Sequence, residues 1–370
     1  MQSGSKERPI LMTTDSVGGV WHYSLSLISE LADHGLPVVL AVMGRRLNKS
    51  QQWQVAKLKN VELRESDFPL EWMDRPWSEI DRAAEWLQSL AANYHVRLVH
   101  LNQLSFGAVE FSVPRIVVAH SCVYSWYLAV RQVLPDHHWC QYYRRVAAGL
   151  RSAEVVVSPT EGLLTKLQSL YGEFRNCRVI PNGVALESWQ PRDKQEYLFS
   201  AGRLWDEAKN FKVLDRAALH IRWPIIVAGE HVASSRESLQ FANLQLLGNC
   251  APETMRIYQG RASIFVAPVY YEPFGLAILE AAACGCALVL GDIPTLREVW
   301  GGAAFYVDPD EPQMVAHKIN QLINSPQRLK EFSRLARTRA QLYPQSKMGT
   351  QYIKLYQSMI TPDLKSGVAL

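Results

Sequence analysis

Short apolar runs recur along the chain, separated by stretches in which apolar residues return every three or four positions. ILMTTD (Ile10 to Asp15) predicts a short buried strand. VGGVWHYSLSLISELADHG then predicts a glycine turn and a helix whose apolar stripe is Leu25, Ile28, Leu31 and Ala32, ended by Gly35. PVVLAVMG is the next strand. Continuous apolar strands alternating with helices predict a parallel sheet covered by helices. VRLVHLNQ (Val96 to Gln103), RIVVAHS (Arg115 to Ser121) and EVVVSPT extend the series. SWYLAVRQVLPDHHWCQYYRRVAAGLRSA predicts helix interrupted near Pro135, Thr160 opens the helix beginning at GLLTKL, and RVIPNGV (Arg178 to Val184) closes the unit. Residues 45–90 mix charge, proline and tryptophan, and Trp72, Trp77 and Trp86 are expected to seat them on the domain.

ESWQPRDKQ (Glu187 to Gln195) is polar without a core pattern and marks a domain boundary. YLFSAGRL, PIIVAGE, LQLLG, IFVAPV, CALVLGD and AAFYVDP then repeat the strand pattern. The fold class is therefore α/β, with two open sheets. The divisions are residues 1–186, 187–345 and a tail of 346–370. In the tail, Tyr352, Leu355, Tyr356 and Met359 have helical spacing and are expected to pack on another surface, after which DLKSGVAL frays.

The 370-residue length suits two domains of ordinary size, and 48% apolar residues suffice for both cores. With 39 basic against 35 acidic residues, the formal charge of +4 is mild, and no Lys/Arg tract suits a nucleic-acid groove. MQSGSKERP lacks the apolar segment of a secretion signal, and no apolar run reaches the roughly 18 residues of a membrane span. Of the cysteines Cys122, Cys140, Cys177, Cys250, Cys284 and Cys286, only the last two lie close together, in a CGC that is not a metal-ligand pair. Buried thiols, a reducing compartment and a cytoplasmic location are expected.

EPFGLAILEAAACGCALVL (Glu272 to Leu290) brackets an apolar stretch with two acids. In an open parallel sheet, ligands gather beyond the strand C-termini, and IFVAPV ends at such an edge. Pro273 restricts its neighbour, Gly275 permits close backbone approach, and Leu276 and Ala277 begin a helix whose first amides favour a diphosphate. Glu272 is placed to accept sugar hydroxyls and Glu280, later on the helix, two ribose hydroxyls. Both acids also fit as helix caps or dipole partners. Gly285 makes the sharp passage into the next strand. In AGRLWDEAKN, Arg203 and Lys209 are placed to neutralise a diphosphate, or to pair locally with Asp206 and Glu207.

Taken together, Glu272-Pro-Phe-Gly with Glu280 after it, GRLWDEAK, NGV at Asn182 to Val184 and VGGV at Val17 to Val20 resemble the retaining glycosyltransferases of family 4 (glycosyltransferase group 1) with the GT-B fold. The resemblance covers nearly the whole chain. It implies two Rossmann-like domains facing across a cleft: 1–186 for the acceptor, 187–345 for the nucleotide sugar, and a tail that crosses back to the first domain. It further implies that Glu272 binds donor-sugar hydroxyls, Glu280 the ribose, and Arg203 and Lys209 the diphosphate. Phe274, Gly275 and Leu276 supply backbone contacts, Gly18 and Gly19 let the first domain approach the donor, and His120 sits near the donor sugar. Two details depart from the family pattern: Pro273 replaces a glycine, and the second glycine turn reads AGE at Ala228 to Glu230. Glu298 stands where the family often has an acid near the cleft, and Arg261 suits a helix or the donor edge.

The resemblance implies front-face transfer through an oxocarbenium-like ion pair, without a covalent intermediate, the two cations replacing a metal. No cofactor is needed beyond the nucleotide-sugar substrate, and no acidic metal motif is seen. UDP-glucose is the first expected donor, followed by GDP-mannose and UDP-N-acetylglucosamine. The acceptor is expected to be a saccharide or lipid-linked saccharide, in polysaccharide biosynthesis. Trp126, Tyr127, Trp139, Tyr142 and Tyr143 would border it or bury core area. Arg131, Arg144 and Arg145 suggest peripheral contact with the inner face of the cell membrane, or else a solvated helix face. Against a nicotinamide enzyme, no G-x-G-x-x-G follows the first strand. A GT-B epimerase, a phosphorylase and a non-catalytic nucleotide-sugar-binding protein are compatible with the same fold.

Overall fold

The computed structural model describes residues 7–230 and 240–360; the terminal DLKSGVAL lies outside them. Seven parallel strands form the first sheet: β1 (Ile10–Asp15), β2 (Val38–Met43), β3 (Val61–Glu65), β4 (Leu98–Leu101), β5 (Arg115–Val118), β6 (Val155–Ser158) and β7 (Cys177–Val179), in the order β3-β2-β1-β4-β5-β6-β7. Six parallel strands form the second: β8 (Gln195–Ala201), β9 (Ile225–Ala228), β10 (Gln245–Gly248), β11 (Ala262–Ala267), β12 (Ala287–Gly291) and β13 (Phe305–Val307), in the order β10-β9-β8-β11-β12-β13. Each sheet reverses its strand order once, between β1 and β4 and between β8 and β11. Crevices open at such switch points.

The helices are α1 (Gly19–Asp33), α2 (Lys49–Ala56), α3 (Trp77–Asn93), α4 (Val123–Arg131), α5 (Cys140–Ser152) and α6 (Glu161–Tyr171) in the first unit. The second has α7 (Phe211–Ala218), α8 (Pro252–Arg261), α9 (Leu276–Ala283), α10 (Pro294–Trp300), α11 (Pro312–Ile323) and α12 (Pro326–Ala340), and α13 (Gln345–Ile360) follows. Neighbouring strand residues serve opposite cores. Leu11 packs on one face of the first sheet and Ile10 and Met12 on the other, and Phe199 and Leu198 divide likewise in the second. That double burial is why the strands read as continuous apolar runs.

Residues 45–90 are more regular than their composition predicts, since they hold α2, β3 and most of α3. β3 is an edge strand, mostly half-buried, so its sequence VELRE keeps charge and hides the strand pattern. Trp77 and Trp86 pack against the core, but Trp72 is exposed and does not anchor the region. The expectation of buried thiols holds for Cys122, Cys284 and Cys286, whereas Cys140 is exposed and Cys177 and Cys250 are partly so. Gly285, with φ 73°, turns the chain from α9 into β12.

The chain passes between the units twice, and the passages lie side by side. Val184 bridges Pro344 in parallel; its N–H donates to Tyr343 O at 3.3 Å, and its carbonyl accepts from Gln345 N at 2.9 Å. A methyl group on Gly183 would lie 2.6 Å from Pro344 O, so the close crossing requires a residue without one. α13 then packs on α1, burying Met348, Tyr352, Ile353, Leu355 and Tyr356 in the core of the first sheet. At about 2 kcal/mol for each large side chain, this burial fastens the last helix to the first unit.

Candidate active site

The two switch points face each other across the cleft. β1 delivers Asp15 and the turn Val17–Gly19, β4 delivers Asn102 and Gln103, β8 delivers Arg203, and β11 leads to Tyr271 and Glu272. A cavity of about 290 Å³ between them is lined by Gly18, Gly19, His120, Arg203, Lys209 and Glu272, together with Phe274, Gly275 and Leu276. Of the residues expected to bind the donor or to act in catalysis, Glu280 alone falls outside this lining.

The glycine turn is close to the second unit. Gly18 has φ 77°, a conformation that suits glycine, and a methyl group there would sit 3.6 Å from an Arg203 guanidinium nitrogen. One on Gly19 would sit 3.9 Å from Leu276 Cδ1. Gly275 has φ 90°, and a methyl group would lie 2.7 Å from Ile278 Cδ1. α1 and α9 begin at these two turns, and neither helix carries a side-chain cap. Their N-terminal amides therefore give the cavity two positive poles.

Lys209 Nζ donates to Glu272 Oε2 at 2.7 Å, with both side chains 19% exposed. The predicted phosphate cation and sugar carboxylate are thus already paired. Arg203 bonds Asp206 Oδ2 at 2.8 Å. Asp206 Oδ1 also accepts the Trp126 indole N–H at 3.0 Å, from the opposite unit. Burial pushes the Asp206 carboxyl up, but Arg203, Lys209 and the indole outweigh it, and its pKa lies below the usual range. The local pairing anticipated for GRLWDEAK therefore belongs to Arg203 and Asp206. Glu207 instead pairs with Arg131, across the cleft, at 2.7 Å.

His120 lines the cavity, and its Nε2 meets Asn102 Oδ1 at 2.8 Å. Burial lowers its pKa to about 3, so the ring is neutral. Asp15, at the end of β1, accepts the Val17 N–H at 2.8 Å. Burial raises its pKa to about 6, against the pull of that N–H and of Arg203 and Arg45.

Glu280 lies further along α9, in the neighbourhood of Gln259. Burial raises it to about 8, opposed by a hydrogen bond from the Gln259 side chain and by Arg256. Glu298 is not a cleft acid: its two oxygens accept the backbone N–H groups of Glu161 and Gly162, both at 2.8 Å, and so cap α6 from the other unit. Arg261 ends α8 and does not line the cavity. Arg131 and Arg145 have carboxylate partners at the surface, Glu207 and Asp81.

A second chamber, of about 350 Å³, adjoins the first and shares Asp15, His120, Trp126, Arg203 and Asp206 with it. Trp126, Tyr127, Trp139 and Tyr142 line it as the aromatic pattern suggests, whereas Tyr143 packs away, its hydroxyl on Leu170 O at 2.8 Å. The sequence patterns do not single out Asp15, Glu71, Asn102, Gln103, Trp205 or Tyr271. Asp15 carries a signal, being the lone acid ending a buried run. So do Asn102-Gln103, polar residues directly after VHL. Tyr271 holds Ser125 Oγ at 2.7 Å across the cleft, a relation no local pattern encodes.

Asp136, His137 and His138 bring ligand atoms within 4.8 Å of one another, but all three are exposed and none lines either chamber. No described helix is long and apolar enough to cross a membrane.

This architecture is a GT-B fold: two parallel Rossmann-like sheets with a site between them. Residues 17–188 match the model of Glycosyltransferase Family 4, and residues 185–339 that of Glycosyl transferases group 1. The chain belongs to this family of GT-B glycosyltransferases. It is 29% identical over 147 residues to the O-antigen chain mannosyltransferase B of Escherichia coli, covering 40% of this chain and 33% of that protein. It is 24% identical over 220 residues to an N-acetylgalactosaminyltransferase of Campylobacter jejuni that acts on a diphospho-undecaprenol-linked sugar, covering 55% and 60%. The matches thus span less than two thirds of either relative. Among solved structures, sucrose-phosphate synthase from Thermosynechococcus elongatus superposes with a TM-score of 0.80 at 19% identity, covering 95% of this chain and 98% of that one. Anabaena HepE in complex with UDP-glucose gives 0.76 at 17% identity, covering 95% and 99%.

Proposed function

We propose that this chain transfers a hexose from a nucleotide sugar, UDP-glucose first among candidates, to a hydroxyl of a saccharide or lipid-linked saccharide, with retention at the anomeric carbon. The observation that carries this reading is the Lys209–Glu272 pair at 2.7 Å in a cleft between two uncapped helix N-termini. The diphosphate suits the amides of α9 with Arg203 and Lys209, the Phe274–Leu276 backbone lies alongside, and Glu272 and His120 flank the attached sugar. The anomeric C–O bond breaks with its electron pair leaving on the diphosphate. The two cations and the helix poles stabilise that charge, a role a metal ion fills in other sites. The acceptor oxygen bonds to the same face of the sugar, and its proton passes to the departing phosphate oxygen. Enclosure between the units keeps water from the activated sugar.

UDP-glucose is supported by the likeness to HepE, whose structure holds it. The mannosyl- and N-acetylgalactosaminyltransferase relatives keep GDP-mannose and N-acetylhexosamine donors in view, and their names support an acceptor in polysaccharide or lipid-linked glycan assembly. The test is a panel of these donors, followed for nucleotide release and sugar transfer with and without a membrane glycolipid fraction, under excess chelator. Product with the donor's anomeric configuration is expected. Inversion at that carbon, or release of sugar phosphate in place of nucleotide, would replace this reading with another.

A further inference from the structure

We infer that Trp126 of the first unit is a positioning residue for Arg203 of the second. Acting through Asp206, its indole aims the guanidinium at the diphosphate, so the phosphate site is complete only where the two units meet. The inference rests on the glycosyltransferase reading and adds to it a part that the substrate-facing residues do not supply.

Asp206 lies between Arg203 and Lys209 in sequence and holds both in space. Its backbone carbonyl accepts the Lys209 N–H at 2.9 Å, its Oδ1 the Ala208 N–H at 3.1 Å, and its Oδ2 an Arg203 guanidinium N–H at 2.8 Å. The carboxylate is therefore the fixed point of the turn that carries the two phosphate cations. From outside that turn it is held by the Trp126 indole N–H, 3.0 Å from Oδ1. The carboxylate is buried and ionised, and these N–H groups take up most of its accepting capacity. Its part is to hold Arg203, not to receive a sugar hydroxyl.

The guanidinium has a direction because its ends are placed differently. One terminal nitrogen is tied to Asp206, and the other lies 3.6 Å from where a methyl group on Gly18 would sit, beside the uncapped start of α1. A planar fork held at one end presents its other donors at a set angle, and releasing that end lets the fork turn. α4 brings Trp126 to this point and grips both loops of the donor site. Its Ser125 Oγ lies 2.7 Å from the hydroxyl of Tyr271, the neighbour of Glu272, and its Arg131 pairs with Glu207 at 2.7 Å. Separating the units breaks these contacts and takes from Asp206 the one partner that the first unit provides. Donors fixed beforehand toward a departing charge act in the transition state, so their loss falls on kcat more than on nucleotide binding.

The test uses the full chain, the donor that it turns over among UDP-glucose, GDP-mannose and UDP-N-acetylglucosamine, and the matching UDP or GDP as the binding probe. Trp126→Phe keeps an aromatic ring and removes the N–H, while Asp206→Asn keeps the shape and removes the charge and one accepting oxygen. Each should lower kcat about tenfold, the scale of one hydrogen bond to a charged group. Nucleotide affinity should stay within about twofold in Trp126→Phe and be equal or tighter in Asp206→Asn, whose lost carboxylate no longer repels the diphosphate. The double variant should fall no more than about threefold below Asp206→Asn alone, because the indole acts through the carboxylate. Nucleotide binding also shows that each variant is folded. Unchanged kcat in either single variant overturns the inference. So do losses that multiply toward about a hundredfold in the double variant, which would make the two residues independent. A drop in nucleotide affinity equal to the drop in kcat overturns it as well, since the whole cleft would then be disturbed. A parent chain that binds neither UDP nor GDP and turns over none of the donors overturns the glycosyltransferase reading and the inference with it.

Discussion

Asn102 Oδ1 accepts the Nε2–H of His120 at 2.8 Å, and this one contact decides which ring nitrogen carries the proton. The amide orientation is set by its other end, where Nδ2 donates to Thr13 O at 2.6 Å, a group that can only accept. Oδ1 therefore faces both His120 Nε2 and His100 Nε2, the latter at 3.3 Å, and each must carry a proton there. His120 Nδ1 is left as the acceptor, while His100 Nδ1 accepts from Tyr356 OH of α13 at 2.6 Å. Asn102→Leu should release the tautomer and lower kcat about tenfold with little change in donor KM, an effect of the order of one hydrogen bond. Nitrogen-15 spectra of the histidines check the cause: the parent should show both rings protonated at Nε2, and the variant a mixed population at His120.

Lys209 and Glu272 depend on each other in the unliganded cleft. Lys209→Met leaves Glu272 without its cation and takes a charge from the leaving-group site. Transfer should fall on the order of 10²-fold. Stability should fall by only about 1–2 kcal/mol, between an exposed and a fully buried pair. Steady-state kinetics beside urea unfolding separates the two effects, and equal losses in both would remove Lys209 from the chemistry.

The sheets were legible because both faces of each strand are buried, so ILMTTD and PVVLAVM stand out as apolar runs. β3 was not, because an edge strand keeps Glu62 and Arg64 toward solvent. Glycines at the two turns were readable, since φ 77° at Gly18 and φ 90° at Gly275 are positions that suit glycine. The partners were not. That Glu298 caps α6, that Trp126 reaches Asp206, and that Asn102 serves two histidines all join residues distant in sequence. They are settled by how two sheets meet, which the spacing along one segment does not contain.

His100 is fully buried, and burial above all, with the neighbouring His120 ring, holds its pKa near 3 against 6.5 in the open chain. Between those values the unfolded chain binds the proton and the folded one does not. The contribution of this ring to stability is therefore fully present above about pH 6.5 and is lost as pH falls, by about 1.4 kcal/mol per pH unit. His100→Gln should remove that slope, which urea melts at pH 7, 6 and 5 would show.

Gly149, on α5, touches the turn that follows Gln103. A methyl group at Gly149 would sit 2.0 Å from Leu104 O, and one at Gly107 would sit 2.2 Å from Gly149 O. Both obstacles are backbone, so no side chain can step aside. Gly149→Ala should cost about 3 kcal/mol. Because the displaced segment carries Asn102 and Gln103, it should also weaken transfer in the fraction that stays folded. Thermal melting with activity per folded molecule checks both, and an unchanged melting point would show that the packing is looser than this.

Glu280 offers a test of the ribose contact through its proton. Burial raises its pKa to about 8, so at neutral pH the free protein holds most of this carboxyl protonated. If ribose hydroxyls donate to it, UDP prefers the ionised form. Binding should then release a proton below pH 8, and affinity should climb as pH rises toward 8 and level off above it. Folding has the opposite slope: from about pH 4.5 to 8 the folded chain holds the proton more tightly than the unfolded one, so stability declines with rising pH. Glu280→Gln removes both slopes and should bind UDP about tenfold more weakly at pH 8.5. Calorimetry in two buffers of different ionisation enthalpy measures the released proton directly. No proton release, with parent and variant equal in UDP affinity, would leave Glu280 as a half-buried acid of α9 and assign the ribose to other groups.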